Sequence, residues 1–364
     1  MRHDYPEPFV VDALSRHTHS CILLHGRGSN GPKFGKALLA SQVADGTTLR
    51  DIFPSMKFIF PTAKKRRATV FKRIPINQWF DLDSLEDTSI REHLQVDGLR
   101  ETTEVVHQII RDEVSSGVLL DDIVLGGLSQ GCAASVYALL AFDGKLGAYI
   151  GMSGWFPFVK YVYESVRQGE QEAKLRAEDP GSDEEIFNIN THGVGIGELD
   201  NGEHEEEDGK ALGDENEDGG EEEEQEESDE DQEDDTDDDT DDDTDDEDED
   251  GSTGGQSSVD AADRPQKQLE AIEALNFLRE NIDFPPIDSA ADNPPALQTP
   301  VFLGHGEEDE KVDVLLGRQT RDALLGLSMD VTWKAYADFG HWYKVPDEID
   351  DIVAFLKKSI GALS

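Results

Sequence analysis

Three residues in this chain have the types, and stand in the settings, needed for nucleophilic acyl transfer. Ser129 lies in "GGLSQG", Asp309 in "GHGEEDEKV" and His341 in "YADFGHWYKV". A serine hydroxyl can attack an acyl carbonyl when a histidine takes its proton, and a carboxylate can fix the tautomer of that histidine. The sequence therefore predicts Ser129 as nucleophile, His341 as proton carrier and Asp309 as the acid that orients it.

The pattern G-x-S-x-G around Ser129 carries this chemistry only if a strand precedes it and a helix follows it. Gly127 and Gly131 have no Cβ, so the backbone can turn sharply and present the Ser129 hydroxyl above the sheet. The first turn of the new helix offers N–H groups without partners, which makes the Gln130 amide a candidate donor to an oxyanion. The glycine-rich turn "HGRGSNG" offers the Arg27 amide as the second donor.

The assignment of the acid and the base has alternatives. In the loops that hold Asp309 and His341, other acids could take the part of Asp309, and all of them could equally be solvated: Glu307, Glu308 and Asp338. A lone histidine such as His341 could cap a helix or lie on the surface. His25 and His305 each precede a glycine after a predicted strand, and we interpret both as structural.

Predicted strands alternate with predicted helices on either side of these loops. The strands are Ser20–Leu24, Met56–Pro61, "DDIVLGG", "GAYIGMSGWFP", "TPVFLGHG" and "DVTWKAYA". The helices are "KFGKALLASQVA", Glu86–Ser116 with a candidate break at Gly98, "SQGCAASVYALLAF", "QKQLEAIEALNFLRENI", Val312–Leu325 and Glu348–Ile360. The alternation predicts an α/β fold with a mostly parallel, doubly wound sheet and helices on both faces. Ligands of such sheets bind where strands end, which is where the candidate residues stand.

The charge of the chain is concentrated in one segment. The net charge is −49, and Asn201–Asp250 holds 33 of the 81 acidic residues with a single lysine. Like charges repel, and apolar groups that could offset the entropy of ordering are scarce there, so we predict disorder. The predicted organisation is an N-terminal extension (1–17), the first part of the core (18–176), a disordered acidic insertion (177–264) and the second part of the core (265–364).

Composition also limits the partners and the compartment. A chain this acidic is not expected to bind nucleic acid, because phosphate contacts need lysine and arginine. Cys21 and Cys132 are the two cysteines, too few for a disulfide framework. We expect neither a signal peptide nor stable membrane insertion, since no apolar run approaches the roughly 18 residues that span a bilayer. A cytoplasmic protein is predicted, and "KKRR" leaves a nuclear one open.

Taken in order, the motifs resemble those of a known family. "ILLHGRGSNG", "NQWFDL", "GGLSQG", "GMSGWFP", "GHGEEDEKV" and "YADFGHW" are similar to motifs of the acyl-protein thioesterase / phospholipase-carboxylesterase family of α/β-hydrolases. The resemblance covers Ser20–Phe158 and Thr299–Ile360. It implies an esterase without metal or cofactor that acts on fatty acyl thioesters or oxyesters, in S-acylated proteins, lysophospholipids or small esters. It also implies Asp309 as the acid and the Arg27 and Gln130 amides as oxyanion donors.

The chain departs from the family pattern in places that bear on the substrate. Arg27 stands where the family usually has an apolar residue, and the segment from Phe158 to Gln298 is far longer than the family's crossing. In the family, the "WFD" loop and the segment after "SG" line the substrate side. The resemblance thus implies that Trp79 and Trp155 line the substrate site, although simple packing against the sheet explains both equally well.

The acidic segment leaves three interpretations open. It could be a solvating spacer, a tether for basic proteins such as histones or ribosomal proteins, or a segment that docks on the basic run Lys64–Arg67 of the same chain. The second interpretation gives an alternative to the enzyme: a non-catalytic interaction protein on a hydrolase scaffold that binds basic partners through its acidic tract.

Overall fold

The computed structural model describes residues 5–84, 87–165, 264–287 and 293–361. The strands are β1 Phe9–Val11, β2 His19–Leu24, β3 Met56–Phe60, β4 Lys65–Ala68, β5 Ile74–Asn77, β6 Ile123–Leu128, β7 Ala148–Met152, β8 Val301–Gly306 and β9 Val331–Tyr336. The α-helices are α1 Gly31–Ala40, α2 Leu49–Ile52, α3 His93–Ser115, α4 Gln130–Leu140, α5 Arg264–Asn281, α6 Val314–Gly326 and α7 Asp347–Ser359. Residues 159–165 are also helical.

Seven of these strands form one twisted sheet in the order β1-β3-β2-β6-β7-β8-β9. Every neighbouring pair is parallel except β1 and β3, which run antiparallel. The register aligns Leu24 of β2 with Gly127 of β6, and Met152 of β7 with Gly304 of β8. The carboxyl ends of β2, β6, β7 and β8 therefore meet at one edge. This architecture confirms the predicted mostly parallel α/β-hydrolase sheet.

The sheet is covered by helices on both faces, as its strand composition predicts. In β2, Ile22 and Leu24 belong to the core that contains α3, α4 and α5, while Cys21 and Leu23 belong to the core that contains α1 and α7. All six residues of β2 are buried, because successive side chains point to opposite faces and each face carries helices. The central strands are thus fixed from both sides, which makes their carboxyl ends a rigid base for a site.

Two predicted helix boundaries were wrong. The helix predicted from Glu86 begins at His93, and Gly98 does not break it. A Cβ at Gly98 would lie 2.4 Å from the Cα of Phe80, so this glycine allows close packing instead of ending the helix. The first helix stops at Ala40 because Ser41 has an extended backbone.

The predicted long loop after β3 contains a hairpin. β4 and β5 pair antiparallel, with Lys65 opposite Asn77. The basic residues and the proline of this hairpin conceal the alternation of apolar and polar residues that identifies strands in a sequence. Two of the four residues of the basic run, Lys64 and Arg66, form ion pairs with Glu101 within the fold.

The predicted N-terminal extension also contributes to the sheet. Phe9–Val11 forms the edge strand β1, whose Phe9 lies opposite Phe60 of β3. The predicted acidic insertion, 177–264, lies outside the described residues except for Arg264, at which α5 begins. No helix in the described parts of the chain is long and apolar enough to cross a membrane.

The two stretches of chain that flank the insertion pack into the same core. The rings of Tyr161 and Phe277 stack with 4.5 Å between their centroids. The Tyr137 hydroxyl donates a hydrogen bond of 2.6 Å to the main-chain oxygen of Leu278. Contacts on one face of the sheet therefore join the parts of the chain before and after the insertion.

A buried acid, Glu348, lies in the first turn of α7 beneath the end of β8. Its Oε2 accepts a hydrogen bond of 3.0 Å from the Lys344 amide, and its Oε1 has no hydrogen-bond partner. Burial raises the pKa of Glu348 to about 8, although the Lys344 amide lowers it. The carboxyl group is accordingly protonated in the folded protein at neutral pH.

This acid makes stability depend on pH. An unfolded glutamate ionises near its ordinary pKa of 4.5, so between about pH 4.5 and pH 8 the folded protein holds a proton that the unfolded chain has lost. We expect the free energy of unfolding to fall across this window by up to ~5 kcal/mol, at 1.36 kcal/mol per pKa unit. Glu348→Gln should flatten this slope in denaturant titrations at several pH values. The exposed Glu273→Gln on α5 is the control, and equal slopes in both variants would contradict the expectation.

Candidate active site

Ser129 sits on a sharp turn between β6 and α4. Its backbone has φ 56° and ψ −123°, a conformation that non-glycine residues rarely adopt and that costs of order 1–3 kcal/mol. The Ser129 amide donates a hydrogen bond of 2.8 Å to the main-chain oxygen of Met152, which fixes the turn at the end of β7. The strand and the helix that the G-x-S-x-G pattern requires are both present.

The glycines of the motif allow this turn to pack closely. A Cβ at Gly127 would lie 2.4 Å from the main-chain carbon of Gly131. A Cβ at Gly131 would lie 2.2 Å from the main-chain oxygen of Leu24 and 2.6 Å from that of His25. The start of α4 thus rests directly on the end of β2, with no room for a side chain between them.

His341 lies between Ser129 and Asp309. Its Nε2 is 3.0 Å from the Ser129 Oγ, and its Nδ1 is 2.8 Å from the Asp309 Oδ2. The neighbouring loop is tied down by the Ser153 hydroxyl, which donates a hydrogen bond of 2.9 Å to the main-chain oxygen of Trp342. The structure therefore brings together the three side chains that the sequence singled out.

Asp309 is buried and held by several donors. Its Oδ1 accepts hydrogen bonds of 2.9 Å from the amides of Lys311 and Val312. Burial by itself raises the pKa of Asp309, but hydrogen bonds from His305, His341 and the Val312 amide outweigh it and lower that pKa well below the ordinary value. An ionised carboxylate only accepts, so His341 Nδ1 carries the proton and Nε2 is left to accept from the Ser129 hydroxyl.

His305 contributes more to this arrangement than the sequence indicated. Its Nε2 donates a hydrogen bond of 2.8 Å to the Val312 oxygen and lies 3.3 Å from the Asp309 Oδ2. We interpreted His305 as structural; it is buried, but it also contacts the acid. Its place near the end of β8, four residues before Asp309, was the available signal. The rival acids Glu307, Glu308 and Asp338 are exposed.

The loop after β2 borders the Ser129 hydroxyl. The Cβ position of Gly26 lies 3.9 Å from the Ser129 Oγ. His25 anchors this loop: its Nε2 accepts from the Ala63 amide at 3.0 Å, and its Nδ1 donates to the Gly26 oxygen at 2.7 Å. Burial lowers the pKa of His25 to about 4, so the ring is neutral, in line with its structural interpretation.

The two predicted oxyanion donors, Arg27 and Gln130, both line the cavity that contains Ser129. Gln130 is the first residue of α4, where main-chain N–H groups have no partner within the helix. Arg27 follows Gly26 in the bordering loop. The Gln130 side chain is occupied elsewhere, because its Nε2 donates to the Phe80 oxygen at 2.8 Å and its Oε1 accepts from the Trp79 amide at 3.0 Å. The role of both amides stays a prediction.

A cavity of about 980 Å³ opens above the Ser129 hydroxyl. Among the residues that line it are Ser129, His341, Arg27, Trp155, Phe71, Leu82, Val312 and Leu316. Trp155 therefore lies at the cavity, as the resemblance implied. Trp79 does not, and this expectation was wrong: Trp79 is completely buried, and its Nε1 donates a hydrogen bond of 2.7 Å to the His25 oxygen. It supports the loop from below instead of facing a substrate.

The described residues include no group of three or more His, Cys, Asp or Glu side chains arranged to hold a metal ion. Cys21 and Cys132 are buried free thiols. The chemistry that these residues can perform is proton transfer between Ser129 and His341 beside an ionised Asp309.

Comparison with known protein families gives one extensive match. The model of a family described as phospholipase/carboxylesterase matches residues 5–171 and 252–360 of this chain. The chain is 23% identical over 356 residues to acyl-protein thioesterase 1 of Gibberella zeae, an alignment that covers 97% of this chain and 95% of that protein. It is 31% identical over 158 residues to acyl-protein thioesterase 1 of Yarrowia lipolytica, which covers 43% of this chain and 66% of that protein.

Comparison with solved structures supports the fold. The crystal structure of Zea mays acyl-protein thioesterase 2 matches with a TM-score of 0.52 at 20% sequence identity. The match covers 98% of this chain and 100% of that one. At this identity the likeness concerns the architecture of the sheet and its helices.

Proposed function

This chain belongs to the phospholipase/carboxylesterase family of α/β-hydrolases, and from that premise we propose that it is a serine hydrolase. The substrates are acyl thioesters or carboxylic esters, cleaved through a covalent acyl-enzyme. One observation carries the proposal: the hydroxyl of Ser129 lies 3.0 Å from His341 Nε2, while Nδ1 of the same ring lies 2.8 Å from an ionised Asp309. The strained backbone of Ser129 and its place in the cavity lining support the same role.

In the first half of the reaction, Ser129 becomes the nucleophile. His341 Nε2 takes the proton of the hydroxyl as Oγ attacks the acyl carbonyl, and the imidazolium that forms is stabilised by Asp309. His341 then gives this proton to the departing alcohol or thiol. The acyl group is left on Ser129 as an ester.

The carbonyl oxygen gains negative charge during the attack. Arg27 follows Gly26, whose Cβ position lies 3.9 Å from the Ser129 Oγ, and Gln130 is the first residue of α4; we assign their amides as the donors that stabilise this charge. Such donors act without rearrangement because the loop after β2 and the start of α4 are fixed by packing. In the second half, water attacks the acyl-enzyme with His341 as the base, and Ser129 is regenerated.

The substrates belong to the class of fatty acyl thioesters and esters. The relatives are named acyl-protein thioesterases, which favours S-acylated proteins, and the apolar part of the cavity lining suits an acyl chain. Lysophospholipids and small esters share the same reacting group. The alternative, a non-catalytic protein that binds basic partners, is not favoured by the family match. Basic partners and a cytoplasmic location remain predictions.

Covalent labelling tests the proposal directly. A fluorophosphonate probe should label the full chain, because it reacts with serines activated by a histidine. Ser129→Ala should abolish labelling, whereas Ser115→Ala, an exposed serine at the end of α3, should leave it intact. Absence of labelling in the wild type, or labelling that survives Ser129→Ala, would exclude Ser129 as the nucleophile.

A further inference from the structure

The catalytic cavity contains a cationic side chain that the proposed acyl transfer does not use. Arg27 is among the residues that line the cavity, and the oxyanion site requires only its main-chain amide. The guanidinium carbon lies 4.9 Å from the centroid of the Phe71 ring, so the cation is packed against the aromatic face of another residue of the cavity lining. This contact holds the side chain in place.

The protein leaves this cation without a carboxylate partner. Among the described residues Arg27 forms no ion pair, and its Nη1 is buried without a hydrogen bond. Burial lowers the pKa of Arg27, and the charge of Asp81 opposes that shift from a distance. Burying a cation without a partner raises the free energy of the folded protein, and binding of an anion beside it would offset that increase.

None of the nearby acids forms an ion pair with Arg27 among the described residues. The Asp81 carboxylate accepts hydrogen bonds from both the amide and the hydroxyl of Thr69, from the Leu82 amide and from Gln78. Three acids line the cavity. Asp309 is bound to His341, Asp313 caps α6 by accepting from the Leu315 amide at 2.8 Å, and Glu310 is exposed. Arg27 therefore remains available to an anion that a ligand brings into the cavity.

We propose that Arg27 determines substrate specificity by binding a carboxylate that the ester or thioester carries in its acyl part or its leaving part. A guanidinium matches a carboxylate with two parallel N–H groups, a geometry that a lysine ammonium lacks. The inference rests on the proposed hydrolase function and adds the substrate class: acyl compounds with an anionic group within reach of the cavity wall.

Two matched pairs of substrates test this role. Mono-p-nitrophenyl adipate and p-nitrophenyl hexanoate differ by a terminal carboxylate in the acyl part. The butyryl thioesters of thioglycolate and of methyl thioglycolate differ by a carboxylate in the leaving part. For each pair the measured quantity is the ratio of kcat/KM for the anionic substrate to that for the neutral one, in the full chain. Any effect on the shared oxyanion contact cancels in this ratio.

In Arg27→Met the ratio for at least one pair should fall by about 10- to 100-fold, the range for a hydrogen bond to a charged group. In Arg27→Lys, which keeps the positive charge but lacks the two parallel N–H groups of a guanidinium, the ratio should fall less. The exposed cation Lys311 lines the same cavity, so Lys311→Met is the matched control and should change the ratio less than threefold, about the effect of an exposed charge.

The outcomes separate this inference from the proposed function. A pair whose ratio falls in Arg27→Met supports the inference and identifies which part of the substrate carries the anion. Unchanged ratios in both pairs, or an equal fall in Lys311→Met, would overturn it while leaving the hydrolase proposal intact. If the wild type turned over none of the four substrates and resisted the fluorophosphonate probe, the hydrolase proposal itself would fail.

Discussion

Replacing His341 by alanine should lower kcat for ester hydrolysis by about 10⁴- to 10⁶-fold, the range seen when a triad histidine is removed. In the proposed reaction this ring takes the Ser129 proton, returns it to the leaving group and later activates water, so its loss affects three steps. The ring nitrogen Nε2 faces the Ser129 hydroxyl at 3.0 Å, while the other ring nitrogen, Nδ1, is hydrogen-bonded to Asp309.

Steady-state hydrolysis of p-nitrophenyl hexanoate by purified wild type and variant measures this effect. His93→Ala is the matched control, since His93 is exposed at the start of α3 and should leave kcat unchanged. Circular dichroism and thermal melts of both variants check that the fold is kept. A loss of less than tenfold in a folded His341→Ala protein would contradict the proposed base.

Replacing Gly131 by alanine should destabilise the whole protein. The new Cβ would lie 2.2 Å from the oxygen of Leu24, the last residue of β2, and 2.6 Å from that of His25, the next residue, and main-chain atoms cannot rotate away as a side chain can. Either α4 moves away from β2, or the sharp turn at Ser129 between β6 and α4 opens. We expect a loss of about 3 kcal/mol or more, which is roughly 6–12 °C in Tm for a protein of this size.

Thermal melts of Gly131→Ala beside Gly340→Ala measure this difference. Gly340 also lies at the site, but the nearest atom to its Cβ position is the Glu308 oxygen at 3.8 Å, an ordinary contact. Its variant should therefore melt within a few degrees of the wild type. Similar melting temperatures for the two variants would contradict the close packing of α4 on β2.

The order of motifs was sufficient to predict which three side chains the structure brings together. Ser129, Asp309 and His341 each follow a predicted strand, and parallel strands end at one edge, so the sequence placed these residues near one another before any distance was known. The alternation of strands and helices likewise indicated the sheet, because β2, β6, β7 and β8 are apolar runs that only burial on both faces explains.

Other features depend on tertiary contacts that leave no local pattern. The β4–β5 hairpin was missed because its first strand reads "KRRA", which shows no apolar alternation. Arg66 of this strand instead forms an ion pair with Glu101. Whether Trp79 faces a substrate or the core depends on the loop beneath which it packs, and sequence alone left the two equally open. The contact of His305 with Asp309 depends in the same way on the path of the loop after β8.

The contacts between the two stretches of chain on either side of residues 166–263 have a consequence for how the candidate active site is assembled. Ser129 belongs to the stretch before residue 166, whereas Asp309 and His341 belong to the stretch after residue 263. The two stretches are held together non-covalently, by the β7–β8 pairing and by the stacked rings of Tyr161 and Phe277. The side chains of the candidate site are therefore positioned by non-covalent contacts between two stretches of chain, as in an enzyme assembled from two fragments, and not by the covalent path that joins those stretches.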